Sequence, residues 1–135
     1  MEQGLLEKLK TLAEEVRVVY VATSDQEGVP HIAAAEGMAF GNDNRILFRA
    51  WFCIKTVENL EKNPRLSLAI IHPGTREGYQ VLGRIERIDR GAMLDGYRPG
   101  EEKKWASYPQ AEHQLSISIE RVSRLTSGPH SDEFL

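Results

Sequence analysis

The stretch Phe48–Ile71, FRAWFCIKTVENLEKNPRLSLAII, changes its period twice. Phe48, Trp51, Phe52 and Ile54 read as the end of a buried strand, ENLEKNP as a short polar helix stopped at Asn63-Pro64, and LSLAII as a new strand. Lys55 and Thr56 stand where strand becomes helix. A helix start presents unpaired N–H groups and a partial positive charge, so a cation and a hydroxyl at that point form a small anion socket. The alternative reading of the same pair is a solvated lysine beside a helix-capping threonine.

Working outward toward the N-terminus, Leu5, Leu6, Leu9, Leu12, Ala13 and Val16 form one apolar helical stripe, with Glu7, Lys8, Lys10, Glu14 and Glu15 opposite. VRVVYVATSD, the turn QEG and VPHIAAAEGMAF then read as a hairpin over positions 16 to 40. GNDN, Gly41 to Asn44, suits a tight reversal because Gly and Asn tolerate positive φ, which makes RILFRAWF the antiparallel neighbour of the strand before it.

Toward the C-terminus, RLSLAIIH is a fourth strand and YQVLGRIERID a fifth. Arg90 to Gln114, interrupted by Gly91, Gly96, Pro99, Gly100 and Pro109, reads as one or two short helices on loops. In HQLSISIERVSRL, Leu115, Ile117 and Ile119 alternate with polar residues as a half-buried last strand. TSGPHSDEFL has no periodicity and reads as a flexible tail or a partner-contacting arm. Six strands joined mostly by turns, with a helix in front and short inserted helices, predict a mainly β fold: a six-stranded antiparallel split β-barrel of Greek-key type, as one domain over residues 1–135. A doubly wound α/β sheet would need long helical crossovers between successive strands, which three turn-linked strands deny.

A net charge of −3 gives no basic field for nucleic acid or an anionic membrane, so neither is expected as a partner. The single Cys53 cannot make an internal disulfide. No signal-type or membrane-length apolar run occurs, and the expected location is the cytoplasm. His31, His72, His113 and His130 are scattered without metal-ligand spacing, and no nucleophile elbow, P-loop or GxGxxG turn is present. Trp51, Phe52 and Trp105 could stack on a planar ligand or fill core or interface.

Lys55 follows an apolar strand, which puts its ammonium at a barrel rim, and Ala33-Ala34-Ala35 lies on a neighbouring strand. Three small residues in a row leave backbone open to a flat ligand. An open wall beside an anion socket suits a planar ring with a phosphate tail.

The succession GVPHIAAAEGMAF, NDNRILFRAWFCIKTVENLEKNPRLSLAII and YQVLGRIERI resembles the pyridoxamine 5′-phosphate oxidase-like, FMN-binding split-barrel superfamily over roughly Val18 to Ile88, KTVENLEKNPRLSL being its most specific element. The resemblance implies a homodimer with two FMN sites at the subunit interface. It implies phosphate at Lys55 and Thr56, the isoalloxazine edge beside Ala33, Ala34, Ala35 and Glu36, and Arg49, Ala50 and Trp51 continuing that wall. Tyr79 or Gln80 and Trp105 would reach across from the second subunit. Ala33 to Ala35 stand where the true oxidases place a phosphate-binding arginine, and no basic C-terminal segment follows, which argues against pyridoxamine phosphate as substrate. The resulting expectation is a flavin-dependent oxidoreductase serving a small-molecule electron donor or acceptor. Its alternative is a non-catalytic dimeric module for FMN, haem or another planar ligand.

Overall fold

In a computed structural model, which describes residues 2–90 and 110–135, the chain runs α1 (Gln3–Val16), β1 (Val19–Ser24), β2 (Pro30–Ala35), β3 (Met38–Phe40), β4 (Arg45–Cys53), α2 (Ile54–Lys62), β5 (Arg65–Ile71), β6 (Gly78–Arg90) and β7 (Gln110–Arg124). All seven strands join one antiparallel sheet in the order β2-β1-β5-β6-β7-β4-β3. β2 and β3 occupy opposite ends of that order, yet only Glu36 and Gly37 separate them in the chain. A two-residue link spans roughly 7 Å, so the ends are forced together and the sheet curls into a split barrel.

The split comes from β6 and β7, the two longest strands. β5 pairs with Gly78 to Arg84 of β6, whereas β4 pairs with Gln110 to Ser118 of β7. β6 bends between these two halves at irregularities after Leu82 and after Ile85. At the joint between β2 and β3, Gly37 has φ 96°, and a Cβ there would overlap the Arg49 carbonyl oxygen. The Arg49 N–H donates to the Gly37 carbonyl at 3.4 Å, so the joint touches β4 directly. Only glycine permits both the dihedral and the approach.

Strand alternation places the core. Ile46, Phe48, Ala50 and Phe52 of β4 point inward, while Arg45, Leu47, Arg49 and Trp51 point outward. Phe48 and Phe52 meet edge to face at 5.1 Å. They pack with Leu66, Leu68 and Ile70, with Leu115 and Ile117, and with Leu9, Leu12 and Ala13 of the α1 stripe.

The structure corrects several expectations. There are seven strands rather than six, because the run read as one strand from Val29 to Phe40 breaks at the Gly37 joint. In the next turn Asn44 takes the expected positive φ (57°), and Asp43 (58°) rather than Gly41 takes the other. The last strand begins at Gln110, inside the segment read as short helices. Polar residues such as Glu112 and Gln114 become strand because β4 supplies a ladder partner for each, which no local propensity reveals. The rest of that segment lies outside the described residues. The tail folds back along β7: Asp132 donates its N–H to the Arg124 carbonyl at 2.7 Å, Arg124 to Glu133 at 2.9 Å and Leu135 to Val122 at 3.1 Å. Ser123 bridges to Phe134, so the tail covers the edge of β7 that β4 leaves beyond Ser118.

Candidate functional site

The first turn of α2 is the centre of the candidate site. Its N-cap, Cys53, makes no side-chain capping bond to the turn's free N–H groups. Lys55 is exposed in that turn. Thr56 is not the cap of the alternative reading: it lies three residues beyond the N-cap Cys53, is fully buried, and its Oγ lies 3.5 Å from His31 Nδ1.

Thr56 belongs to a polar seam that fixes the helix. Thr56, Asn59 and Asn63 follow at i, i+3 and i+7 and so share one helical face. Asn59 Nδ2 donates to Thr23 Oγ1 at 3.0 Å with both side chains buried, and Asn63 Nδ2 donates to Ser24 Oγ at 3.1 Å. Thr23 and His31 are themselves cross-strand partners. The β1–β2 hairpin therefore sets the position of the Lys55 turn.

Beside Lys55 is an open cleft of about 260 Å³ between α2 and the β1–β2 turn, lined by Asp25, Gln26, Glu27, Lys55, Glu58, Asn59 and Lys62. The Asp25 carboxylate accepts the N–H groups of Val29 and Glu27, each at 2.9 Å. The Val29 bond chiefly holds its carboxyl below the usual carboxylate range, with nearby Lys55 adding to the effect.

The other expected site residues divide by the side they face. Ala33 and Ala35 are buried toward the core, so of the three alanines Ala34 alone opens outward, opposite Tyr20. A strand cannot offer three successive side chains to one face, and the run of alanines hid this period of two. Glu36 is exposed at the joint, which the Gly37 bond brings beside Arg49. Arg49 points outward, its Nε and Nη2 donating to Gln114 Oε1 at 3.3 and 2.9 Å. Ala50 faces the core, and Trp51 is 40% exposed on the outer face.

Tyr79 does not reach outward. It is 4% exposed in the chain's own core, its hydroxyl donates to Glu77 at 3.1 Å, and burial followed by that carboxylate pushes its phenol above the ordinary value. Gln80 does face outward, but Ser67 Oγ donates to its Oε1 at 2.7 Å and its Nε2 donates to Ser123 Oγ at 3.4 Å. Trp105 lies outside the described residues. Sequence reading missed His31 and Asp25. The i, i+3, i+7 spacing of Thr56, Asn59 and Asn63 is the signal that could have pointed to the hairpin.

A curled antiparallel half-barrel with a short helix after its fourth strand defines a class of split-barrel proteins. The family model for pyridoxamine 5′-phosphate oxidase matches residues 5–125, and the chain belongs to that family. It is 27% identical over 133 residues to the uncharacterized protein MJ0282 of Methanocaldococcus jannaschii, covering 96% of this chain and 85% of that protein. Among solved structures, it is similar to an FMN-binding protein from Syntrophomonas wolfei (TM-score 0.68, 16% identity, 93% and 89% of the two chains). HupZ of Group A Streptococcus is comparable, with TM-score 0.67, 22% identity and 93% and 97% coverage. The haem storage protein HutZ of Vibrio cholerae shares the fold at TM-score 0.59 and 20% identity, with 87% and 92% coverage. Among the described residues no helix is long and apolar enough to cross a membrane, and no three metal-ligating side chains cluster.

These residues fit a flavin phosphate in part. The uncapped first turn of α2 and Lys55 offer donors to an anion, whereas the Thr56 hydroxyl stays turned toward His31. The cleft beside Lys55 is smaller than the roughly 300 to 1,000 Å³ usual for ligand pockets, and it holds three carboxylates. One chain offers an exposed lysine at a helical start and one outward-facing residue of the three alanines.

Proposed function

We propose that the protein binds FMN as a homodimer and acts as a flavin-dependent oxidoreductase on a small-molecule electron donor or acceptor. The observation that carries this reading is the exposed Lys55 in the first turn of α2 of a chain from this family, whose β2 turns Ala34 outward. Bound flavin supplies electron or hydride exchange, chemistry that no side chain of the site can perform alone. Lys55 and the first-turn N–H groups hold the phosphate by charge-assisted hydrogen bonds. Ala34 leaves room for the ring, and the seam from Thr56 to Asn63 keeps the anchoring turn in place. A second subunit supplies the other wall.

Fluorescence quenching on addition of FMN tests the reading, with riboflavin as the phosphate-free control. Lys55→Ala should weaken FMN binding by on the order of 10- to 100-fold, the worth of one charge-assisted bond, and leave riboflavin almost unaffected. A chain that takes up no FMN refutes the proposal. The likeness to HutZ supports a second reading, a non-catalytic module for haem. Added haemin would then give a Soret band where added FMN gives no quenching.

A further inference from the structure

The turn between β1 and β2 faces α2 across the cleft that Lys55 borders, and the cleft is unevenly charged. Asp25 and Glu27 stand on the turn, and Lys55, Glu58 and Lys62 on the helix. Three carboxylates against two ammonium groups leave the cleft a formal charge of −1. Among the described residues none of these five side chains forms an ion pair, so the lysines do not occupy the carboxylates.

The backbone of both walls is fixed. Asp25 Oδ1 accepts the N–H groups of Glu27 and Val29, the Asp25 N–H donates to the Val29 carbonyl at 3.1 Å, and the Asp25 carbonyl accepts from Gly28 at 3.2 Å. These four bonds close the turn on itself. On the other side, Asn59 and Asn63 hold α2 to Thr23 and Ser24, the two residues just before Asp25. Glu27 and Glu58 can turn their carboxylates but stay beside Lys55.

We infer that Glu27 and Glu58, with Asp25, restrict the site to a flavin mononucleotide: they admit a terminal phosphate at Lys55 and reject FAD, whose phosphate continues into a second one. The inference rests on the flavin reading above and adds to it the residues that set which ligand is accepted. A terminal phosphate meets one ammonium and a helical start, both favourable to an anion. A second phosphate entering the cleft meets three carboxylates with Lys55 already engaged, and Lys62 is the one cation left to it. Burial does not offset that repulsion. At about 260 Å³ the open cleft falls short of the roughly 300 Å³ at which pockets begin to enclose an organic ligand, so an adenylate there stays largely in water.

Equilibrium dialysis of the full chain against FMN and against FAD, read by flavin absorbance at low salt, is the test. The native chain should prefer FMN by on the order of tenfold or more, the sum of several unit-charge repulsions across a few ångströms of water. Glu27→Gln and Glu58→Gln, both at exposed positions, should each narrow that ratio about threefold, and the double variant about tenfold. Added salt should narrow the native ratio as well, because it screens exposed charges. Glu61→Gln removes the same charge from the same helix outside the cleft and should leave the ratio unchanged. A native chain that binds FAD as tightly as FMN overturns the inference and leaves the flavin reading standing. So does a preference for FMN that the double variant does not move, or that Glu61→Gln moves equally. A chain that binds neither flavin sinks both.

Discussion

Replacing Gly37 by alanine should be among the most damaging single-methyl changes available to this fold. At φ 96° an L-residue is strained, and leaving the allowed region costs roughly 1–2 kcal/mol. The new Cβ would also overlap the Arg49 carbonyl oxygen and stand 3.2 Å from its carbon. That carbonyl cannot retreat easily, because Arg49 is held in the ladder opposite Gln114 of β7. The joint must open instead, and losing the Arg49 N–H bond to Gly37 adds roughly 0.5–1.5 kcal/mol. A total near 1.5–3.5 kcal/mol is a large part of the roughly 5–15 kcal/mol that holds a domain of this size. With a urea slope of about 1–3 kcal/mol per molar, the midpoint should fall by on the order of 1–2 M. Gly28→Ala is the internal control: its φ is 86°, yet nothing lies within 4 Å of the added carbon, so it should show the dihedral cost alone. Urea melts of both variants at one fixed protein concentration make the comparison. Equal midpoints would refute the claim that the β2–β3 joint presses on β4.

Asn59→Ala should cost about 1–3 kcal/mol, since it leaves the buried Thr23 hydroxyl without its donor, and it should loosen FMN binding through a displaced Lys55 turn. The double variant with Thr23→Val should recover part of the stability in the same urea melts. Asp25 has a folded value below the ordinary 3.8, so its contribution is present above 3.8 and is lost as pH falls through the folded value; the stability gap between native and Asp25→Ala should close over that acid window. Tyr79, raised above 10.0, should titrate above the ordinary phenol value in ultraviolet absorbance, as a late step missing from Tyr79→Phe. Deprotonation then favours the unfolded chain, and Tyr79→Phe should remove that share of the alkaline loss of stability.

Local sequence determined the elements whose signals are local. The leucine stripe of α1 and the alternation in RILFRAWF report a face directly, and KTVENLEKNPRLSL specified strand, helix and family together. The placement of Lys55 at an exposed helical start was likewise legible, because helix termini carry their own chemistry. Tertiary structure alone decided which alanine faces outward, since identical residues carry no phase and only the Val19 to Ser24 register with β2 sets one. It decided that Gln110 to Gln114 are strand, through a ladder with residues more than fifty positions away. It buried Thr56 against His31 and folded the tail onto β7. Each of these depends on a neighbour distant in the chain, and the free energy that fixes it arises only when the sheet has closed.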